Sequence, residues 1–227
     1  HVTPVVGRIR QPFSPVPDPR EVAHVFSIPL SWLSDPATGL ATPMRQFFDS
    51  LNDLAADPTS EAARQSVLGE ARGLASRFRS LQGQMDSAQD EVNGRLHQSV
   101  QDINASAQAI AGLNLRIAQA AAAAGGQPPN DLHDQRDAHL RDLSALVGVS
   151  TTEADDGSIN VFTGSGQALV LGSSTQALGV ADDAYGSGRL EITHGGSPVT
   201  AQLGGGTVGG LLDAQREVLD PEGRYLG

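Results

Sequence analysis

Between Leu68 and Ile117, apolar residues return every three or four positions, which is the spacing of one face of an α-helix. Seven heptads separate these two residues, so the average spacing is close to 3.5 and the helix would be about 75 Å long. We predict that this stripe is structural and is buried against neighbouring helices of a bundle. Its main members are Leu68, Phe78, Met85, Val92, Leu96, Val100, Ile103, Ile110 and Ile117.

A shorter helix is predicted ahead of the long one. Thr42 precedes Pro43 as an N-cap residue precedes a first-turn proline, and Asp57 before Pro58 favours a helix end. Thr59 or Ser60 can then cap the long helix, which should start near residue 61 and end at the Gly-Gly pair 125–126.

A return helix is predicted over residues 131–147, capped by Asn130 and packed on the long helix. Beyond Gly148 the apolar period falls to two, and residues 149–153 and 159–162 flank an Asp-Asp-Gly turn, which indicates a β-hairpin. Further strands are expected at 168–171, 177–180, 189–193 and 199–203. Gly204, Gly205 and Gly206 then allow a tight re-entry into a helix over 208–219.

Together these elements predict a mainly α protein with a β part (α+β), in which a small β domain is inserted before the return helix of a long-helix bundle. The expected divisions are a separate segment 1–36, a helical bundle 37–148, a β domain 149–204 and a return helix 205–227. Residues 1–36 contain more than half of the prolines, so no long helix can run through them.

Composition narrows the functional classes. The net charge is −11, from 15 basic and 26 acidic residues, and every basic residue is Arg, so nucleic acid is not an expected partner. The absence of Cys excludes disulfides and thiolate metal sites. No apolar run is long enough to span a membrane, and no cleavable signal peptide is visible.

The candidate chemistry is sparse. His133, Asp134, Asp137 and His139 have helical spacing that could hold a metal ion, but Arg136 lies among them, so a solvated helix face is the favoured interpretation. The segment 164–166 is not followed by a helix, so it is not a nucleophile elbow, and 204–206 lacks a following Lys for phosphate binding. We therefore expect no catalytic residue, metal or cofactor.

Several motifs occur in a specific order along the chain. They are Phe47-Phe48-Asp49-Ser50-Leu51, Asn130-Asp131-Leu132 with Gln135-Arg136-Asp137, Asp156-Gly157-Ser158-Ile159, and Gly209-Gly210-Leu211-Leu212-Asp213. From about residue 38 to residue 227, the chain resembles the flagellar hook-associated protein 1 family, found at the junction between hook and filament.

The resemblance implies a structural, self-assembling flagellar component without enzymatic activity, exported outside the cell without a cleaved signal peptide. It implies partners among neighbouring copies and other axial proteins, and an export chaperone acting through terminal regions. It marks Asn130, Asp131, Leu132, Gln135, Arg136 and Asp137 as family-motif residues. A generic helical adaptor, whose long helix pairs with a partner helix, is a further alternative.

Residues 1–36 differ from that family. His1-Val2-Thr3-Pro4 and Pro17-Asp18-Pro19 resemble the later half of Nudix hydrolases that cleave coenzyme A. Such enzymes bind a divalent cation through an Arg-Glu-apolar-x-Glu-Glu box. That box is absent, because Arg20-Glu21-Val22-Ala23 is followed by His24-Val25. The alternative to the structural function is thus an inactive fragment of a coenzyme A pyrophosphatase.

The stripe also predicts which positions tolerate change. Val92, Leu96, Ile103 and Ile110 should be sensitive to truncation, because they would face the core. Gln89, Asn93 and Gln101 lie off the stripe, so changes there should alter the free energy of unfolding by less than about 0.5 kcal/mol.

Overall fold

The computed structural model describes residues 39–123, 130–184 and 188–216. It divides into two compact units, with the boundary between Asp90 and Glu91. This boundary lies within a helix and not at residue 148, and the β strands share a unit with the residues that follow Glu91. The predicted segment 1–36 lies outside the described residues.

The first unit contains helix α1, Ala41–Ala56. Leu40 occupies the N-cap position and makes no capping hydrogen bond through its side chain, so the prediction of Thr42 as the cap was wrong. Thr42 is instead in the first turn together with Pro43, a position that suits proline because the first-turn N–H groups have no partner within the helix. The helix ends before Asp57, as predicted.

Helix α2, Glu61–Ala123, is 63 residues long and begins where the sequence predicted. The Ser60 hydroxyl accepts a hydrogen bond from the Ala63 N–H at 3.2 Å, which confirms Ser60 as its N-cap. The helix contains the whole apolar stripe and contributes residues to both units.

In the first unit, the prediction of a buried stripe was wrong for Leu68, Phe78 and Met85, which are 47%, 50% and 44% exposed. The less exposed apolar residues there are Val67, Leu74 and Leu81, which are half-buried, and Ala88, which is buried; they form a line spaced seven residues apart. Because each residue turns the helix by about 100°, two adjacent lines can both be apolar while only one is covered. Periodicity alone could not distinguish them.

In the second unit the stripe is buried, as predicted. The side chains of Val92, Leu96, Val100, Ile103, Ile110 and Ile117 are between 0% and 3% exposed. Leu113 and Ile117 pack in one apolar cluster with Leu132 of the next helix, α3, Asn130–Leu146. This contact confirms that α3 packs on the long helix. Asn130 is already part of the helix as the structure has it and is not its cap.

Two small antiparallel sheets follow. The first has four strands in the order of the chain: β1 Val149–Glu153, β2 Ile159–Thr163, β3 Ala168–Leu171 and β4 Ser174–Thr175. The second has three strands: β5 Leu178–Asp182, β6 Leu190–His194 and β7 Ser197–Pro198. The predicted hairpin is present, with Val149 opposite Thr163 and Glu153 opposite Ile159. The predicted α+β class is therefore confirmed.

The predicted strand at 199–203 was wrong, because this segment contains a 3₁₀ turn, Thr200–Gln202. The Thr200 hydroxyl accepts a hydrogen bond from the Ile192 N–H at 2.8 Å, and the Val199 N–H donates to the Ile192 carbonyl at 2.8 Å. These contacts bind the segment to β6 through one side chain and one amide, so it does not continue the sheet.

The chain then enters helix α4, Gly206–Ala214, which packs against α3. Gly206 has φ +60°, and a Cβ atom there would lie 2.5 Å from the carbonyl carbon of Leu146. The Gly148 N–H donates to the Gly204 carbonyl at 2.9 Å, so the two backbones are in direct contact. The glycine run is thus the predicted tight re-entry, which requires glycine at Gly205 and Gly206, where φ is positive and a Cβ atom would press on neighbouring backbone; at Gly204 a Cβ atom would meet nothing within 4 Å.

Among the described residues, no helix is both long and apolar enough to span a membrane.

We predict that Ile103→Ala lowers the free energy of unfolding by about 2–4 kcal/mol, because a fully buried side chain leaves a cavity when it is truncated. The control is Leu68→Ala on the same helix, where a half-exposed side chain should cost less than about 1 kcal/mol. Chemical denaturation followed by circular dichroism measures both changes. Equal losses would contradict the assignment of the core to the second part of α2.

We predict that Gly206→Ala destabilises the protein by more than about 2 kcal/mol, because the new methyl group meets the backbone at a positive φ. The matched control is Gly112→Ala in α2, where a Cβ atom would meet nothing within 4 Å. That change should stabilise by about 0.5–1 kcal/mol, since alanine favours helix. The melting temperature should fall for Gly206→Ala and rise for Gly112→Ala. An unchanged melting temperature for Gly206→Ala would refute the tight re-entry.

Candidate structural site between the long helix and the β strands

Asparagine side chains of α2 bond directly to the backbone of the β strands. The Asn104 carboxamide donates to the Leu178 carbonyl at 2.8 Å and accepts from the Leu178 N–H at 2.9 Å. Leu178 is in β5, at the edge of its sheet, and is opposite His194 on the β6 side. The Asn104 side chain therefore satisfies backbone groups that no neighbouring strand reaches.

Asn114 makes a similar contact with the first sheet. Its carboxamide donates to the carbonyls of Ile159 and Gly172, both at 2.7 Å, and accepts from the Ile159 N–H at 3.1 Å. Paired residues of β2 and β3 begin at Val161 and Val170, so Ile159 lies beyond the β2–β3 ladder, although it pairs with Glu153 on the β1 side. Asn114 is 1% exposed and bridges the place where these strands separate.

Asn93 makes the third contact of this type. It donates to the Gly188 carbonyl at 2.7 Å and accepts from the Leu190 N–H at 3.3 Å, at the start of β6. The three asparagines, which we call the asparagine clamps, thus each donate to and accept from strand or turn backbone. A carboxamide suits this role because it has both a donor and an acceptor on one rigid group.

Arg136 joins α3 to the same β region. Its Nη1 donates to the Gly157 carbonyl at 2.7 Å in the turn between β1 and β2, and the residue is 6% exposed. Burial lowers the pKa of the guanidinium from its ordinary value, while the charges of Asp137 and Glu153 act in the opposite direction. Its Nε is buried without a hydrogen-bond partner.

The turn that Arg136 contacts is itself stabilised by Asp156. The Asp156 carboxylate accepts from the Ser158 hydroxyl at 2.6 Å and from the Ser158 N–H at 2.9 Å. These two bonds lower the pKa of the carboxyl group, because they favour its charged form. Gly157 has φ +79°, which this turn requires.

The family-motif residues of α3 do not all reach this site. Leu132 and Arg136 are buried, whereas Asn130, Asp131, Gln135 and Asp137 are exposed. The conceivable metal site is not assembled either. His133 Nδ1 accepts from the Arg136 guanidinium at 3.1 Å, and the described residues contain no group of three His, Cys, Asp or Glu side chains placed to hold a metal ion.

Asn93 was expected to tolerate change at a cost below about 0.5 kcal/mol, but its side chain bonds to the β region 95 residues later in the chain, so we now expect a larger cost there. The sequence does contain a weak signal: three Asn residues occur inside a helix that they do not favour, at intervals of 11 and 10 residues. Each of these residues directly follows an apolar residue of the buried stripe or its flank: Val92, Ile103 and Leu113. Each Asn therefore lies at the margin of the buried face of the helix.

This geometry defines an α+β protein in which small antiparallel sheets are fastened by side-chain clamps to one long helix. A family model described as the flagellar hook-associated protein FlgK helical domain matches residues 31–227. The chain belongs to this family. The match begins at residue 31, somewhat before the expected start at 38.

Curated relatives agree with this assignment. The flagellar hook-associated protein 1 of Escherichia coli strain K12 is 32% identical in an alignment of 201 positions that covers 86% of this chain and 37% of that protein. The corresponding protein of Bacillus subtilis strain 168 is 25% identical over 192 residues, 84% of this chain and 37% of its own length. The chain therefore spans little more than a third of these relatives.

A solved structure, the flagellar hook junction protein FlgK from Burkholderia pseudomallei, matches with a TM-score of 0.72 at 31% identity. The match covers 89% of this chain and 36% of that protein. These relatives confirm the predicted family. The resemblance of residues 1–36 to Nudix hydrolases is not among these findings and stays a prediction.

We predict that Arg136→Ala lowers the free energy of unfolding by about 1–3 kcal/mol, because it leaves the Gly157 carbonyl without its charged donor. Arg141→Ala is the control. Arg141 lies on the same helix and is exposed, and among the described residues its guanidinium donates to the Asp137 carbonyl of its own helix, so its loss should cost less than about 0.5 kcal/mol. Urea denaturation compares the two, and similar effects would argue against a structural role for Arg136.

Proposed function

We propose that this chain is part of a structural component of the bacterial flagellum at the junction between hook and filament, and that it is not an enzyme. The observation that carries the proposal is the family match over residues 31–227 together with the fold similarity to a hook junction protein. Because the chain spans only 37% of its Escherichia coli relative, the role of the whole protein is inferred from its family.

The arrangement of the second unit supports a mechanical role. Three side-chain clamps fasten the β strands to α2, Arg136 joins them to α3, and the apolar stripe of α2 is buried within the same unit. Such contacts resist displacement of the β region, which a subunit under mechanical load requires. Substrate binding needs a pocket with convergent polar groups. The polar atoms of the clamps are instead hydrogen-bonded to backbone groups of the protein.

In this proposal, the partners are neighbouring copies of the protein and other axial proteins of the flagellum. The protein acts outside the cell and reaches that location without a cleaved signal peptide. An export chaperone would bind terminal regions of the longer protein. With a net charge of −11, this 227-residue chain by itself should repel its own copies and stay largely monomeric.

The test is localisation in the bacterium that encodes the sequence. Antibodies raised against the 227-residue chain and detected with gold particles should label the boundary between hook and filament in electron micrographs. Disruption of the gene should remove the label and release filaments into the medium. Labelling confined to the cell interior, or normal filaments after disruption, would contradict the proposal.

The enzymatic alternative has its own test. Incubation of the purified chain with Mg²⁺ and coenzyme A should give no turnover above a buffer control. Turnover that depends on this chain would show that the structural role is not its whole function.

A further inference from the structure

Four buried residues of α2 repeat with one spacing. Leu96, Ile103, Ile110 and Ile117 are seven residues apart, and each is 0% exposed. If the β region slid along the helix by seven residues, about 10.5 Å, each of the last three would take the place of its neighbour. The apolar stripe of α2 would then present nearly the same buried side chains at each level. Since apolar contacts are not directional, a stripe with this repeat stabilises packing on α2 but does not select one axial position of the β region.

The asparagine clamps do not share that repeat. Asn93, Asn104 and Asn114 are 11 and 10 residues apart, so a seven-residue slide removes all three from their partners. In one direction, the strand sites would meet Val100, Ala111 and Ala121. In the other direction, they would meet Asp86, His97 and Ala107. Neither set supplies three carboxamides, so backbone groups such as those of Ile159 would be buried without partners.

We propose that Asn93, Asn104 and Asn114 are positioning residues that fix the axial register of the β strands on α2, while the heptad-spaced apolar residues supply stability. The clamps act over 21 residues of helix, about 31 Å, so they fix the β region at three separated levels. A single buried Asn plays a comparable part in coiled coils, where it selects one register among several that are equally apolar. This inference does not depend on where the protein acts.

The test measures register directly. The chain has no Cys, so Gln101→Cys in α2 and Ser174→Cys in β4, both at exposed positions, create the only two sites for spin labels. Pulsed electron paramagnetic resonance then gives the distance distribution between the labels. The test variant carries Asn93→Leu, Asn104→Leu and Asn114→Leu in this background. The matched control carries Gln98→Leu, Gln108→Leu and Gln119→Leu, which replace three exposed amides of the same helix at intervals of 10 and 11 residues.

The control should show the single distance of the parent protein. The clamp variant should keep the helical circular dichroism signal and gain a second population, shifted by up to about 10 Å. A single, unchanged distance in the clamp variant would overturn the proposal. Loss of the helical signal would also overturn it, because the clamps would then supply the stability that we assign to the apolar stripe.

A second variant tests the clamps under milder change. Asn93→Leu with Asn114→Leu leaves the Asn104 clamp in place, and one clamp is enough to specify a register. We expect one distance, with hydrogen exchange about 3- to 10-fold faster at the Leu190 and Ile159 amides and unchanged at Leu178. A second distance population in this variant, or unchanged exchange at Leu190 and Ile159, would contradict the assigned contacts.

Discussion

Backbone N–H and C=O groups that are buried must find hydrogen-bond partners, and this requirement shapes the second unit of the molecule. Small sheets have many strand ends and edges in proportion to their size, so part of their backbone faces a side on which no neighbouring strand lies. Here the partners come from helices. Asn104 pairs with both groups of Leu178, and Asn114 pairs with Ile159 and Gly172. Contacts with α2 therefore complete the backbone hydrogen bonding of these strands.

A second constraint acts where the chain returns from the β strands to helix α4. The Gly148 amide contacts the Gly204 carbonyl, and Gly206 lies against the backbone of Leu146. Backbones can approach this closely only when no Cβ atom separates them. Glycine is costly for the entropy of folding, so its use here is explained by the close contact between α3, β1 and α4.

Stability and specificity have different origins in this arrangement. The buried aliphatic residues of α2 remove a large apolar area from water, but their regular spacing gives no unique alignment. The clamps and Arg136 bury less apolar area. They impose a strict geometry, because a carboxamide or guanidinium forms a good hydrogen bond only at a defined distance and angle. The proposed role at the junction needs both properties, since a β region that is stable but free to shift could not present one surface to neighbouring subunits.

The sequence by itself determined the elements whose signals are local or periodic. These were the start of α2 at its Ser60 cap, the hairpin around Asp156, the glycine re-entry and the family motifs, because each depends on residues that are close along the chain. Only the tertiary structure decided which line of α2 is covered, as Leu68 and Val67 show, and that Thr200 turns the chain away from a strand. It also decided the role of Asn93, whose partners are more than ninety residues away. Periodicity follows from backbone geometry, whereas burial and hydrogen-bond pairing depend on which distant segment folds back onto each surface.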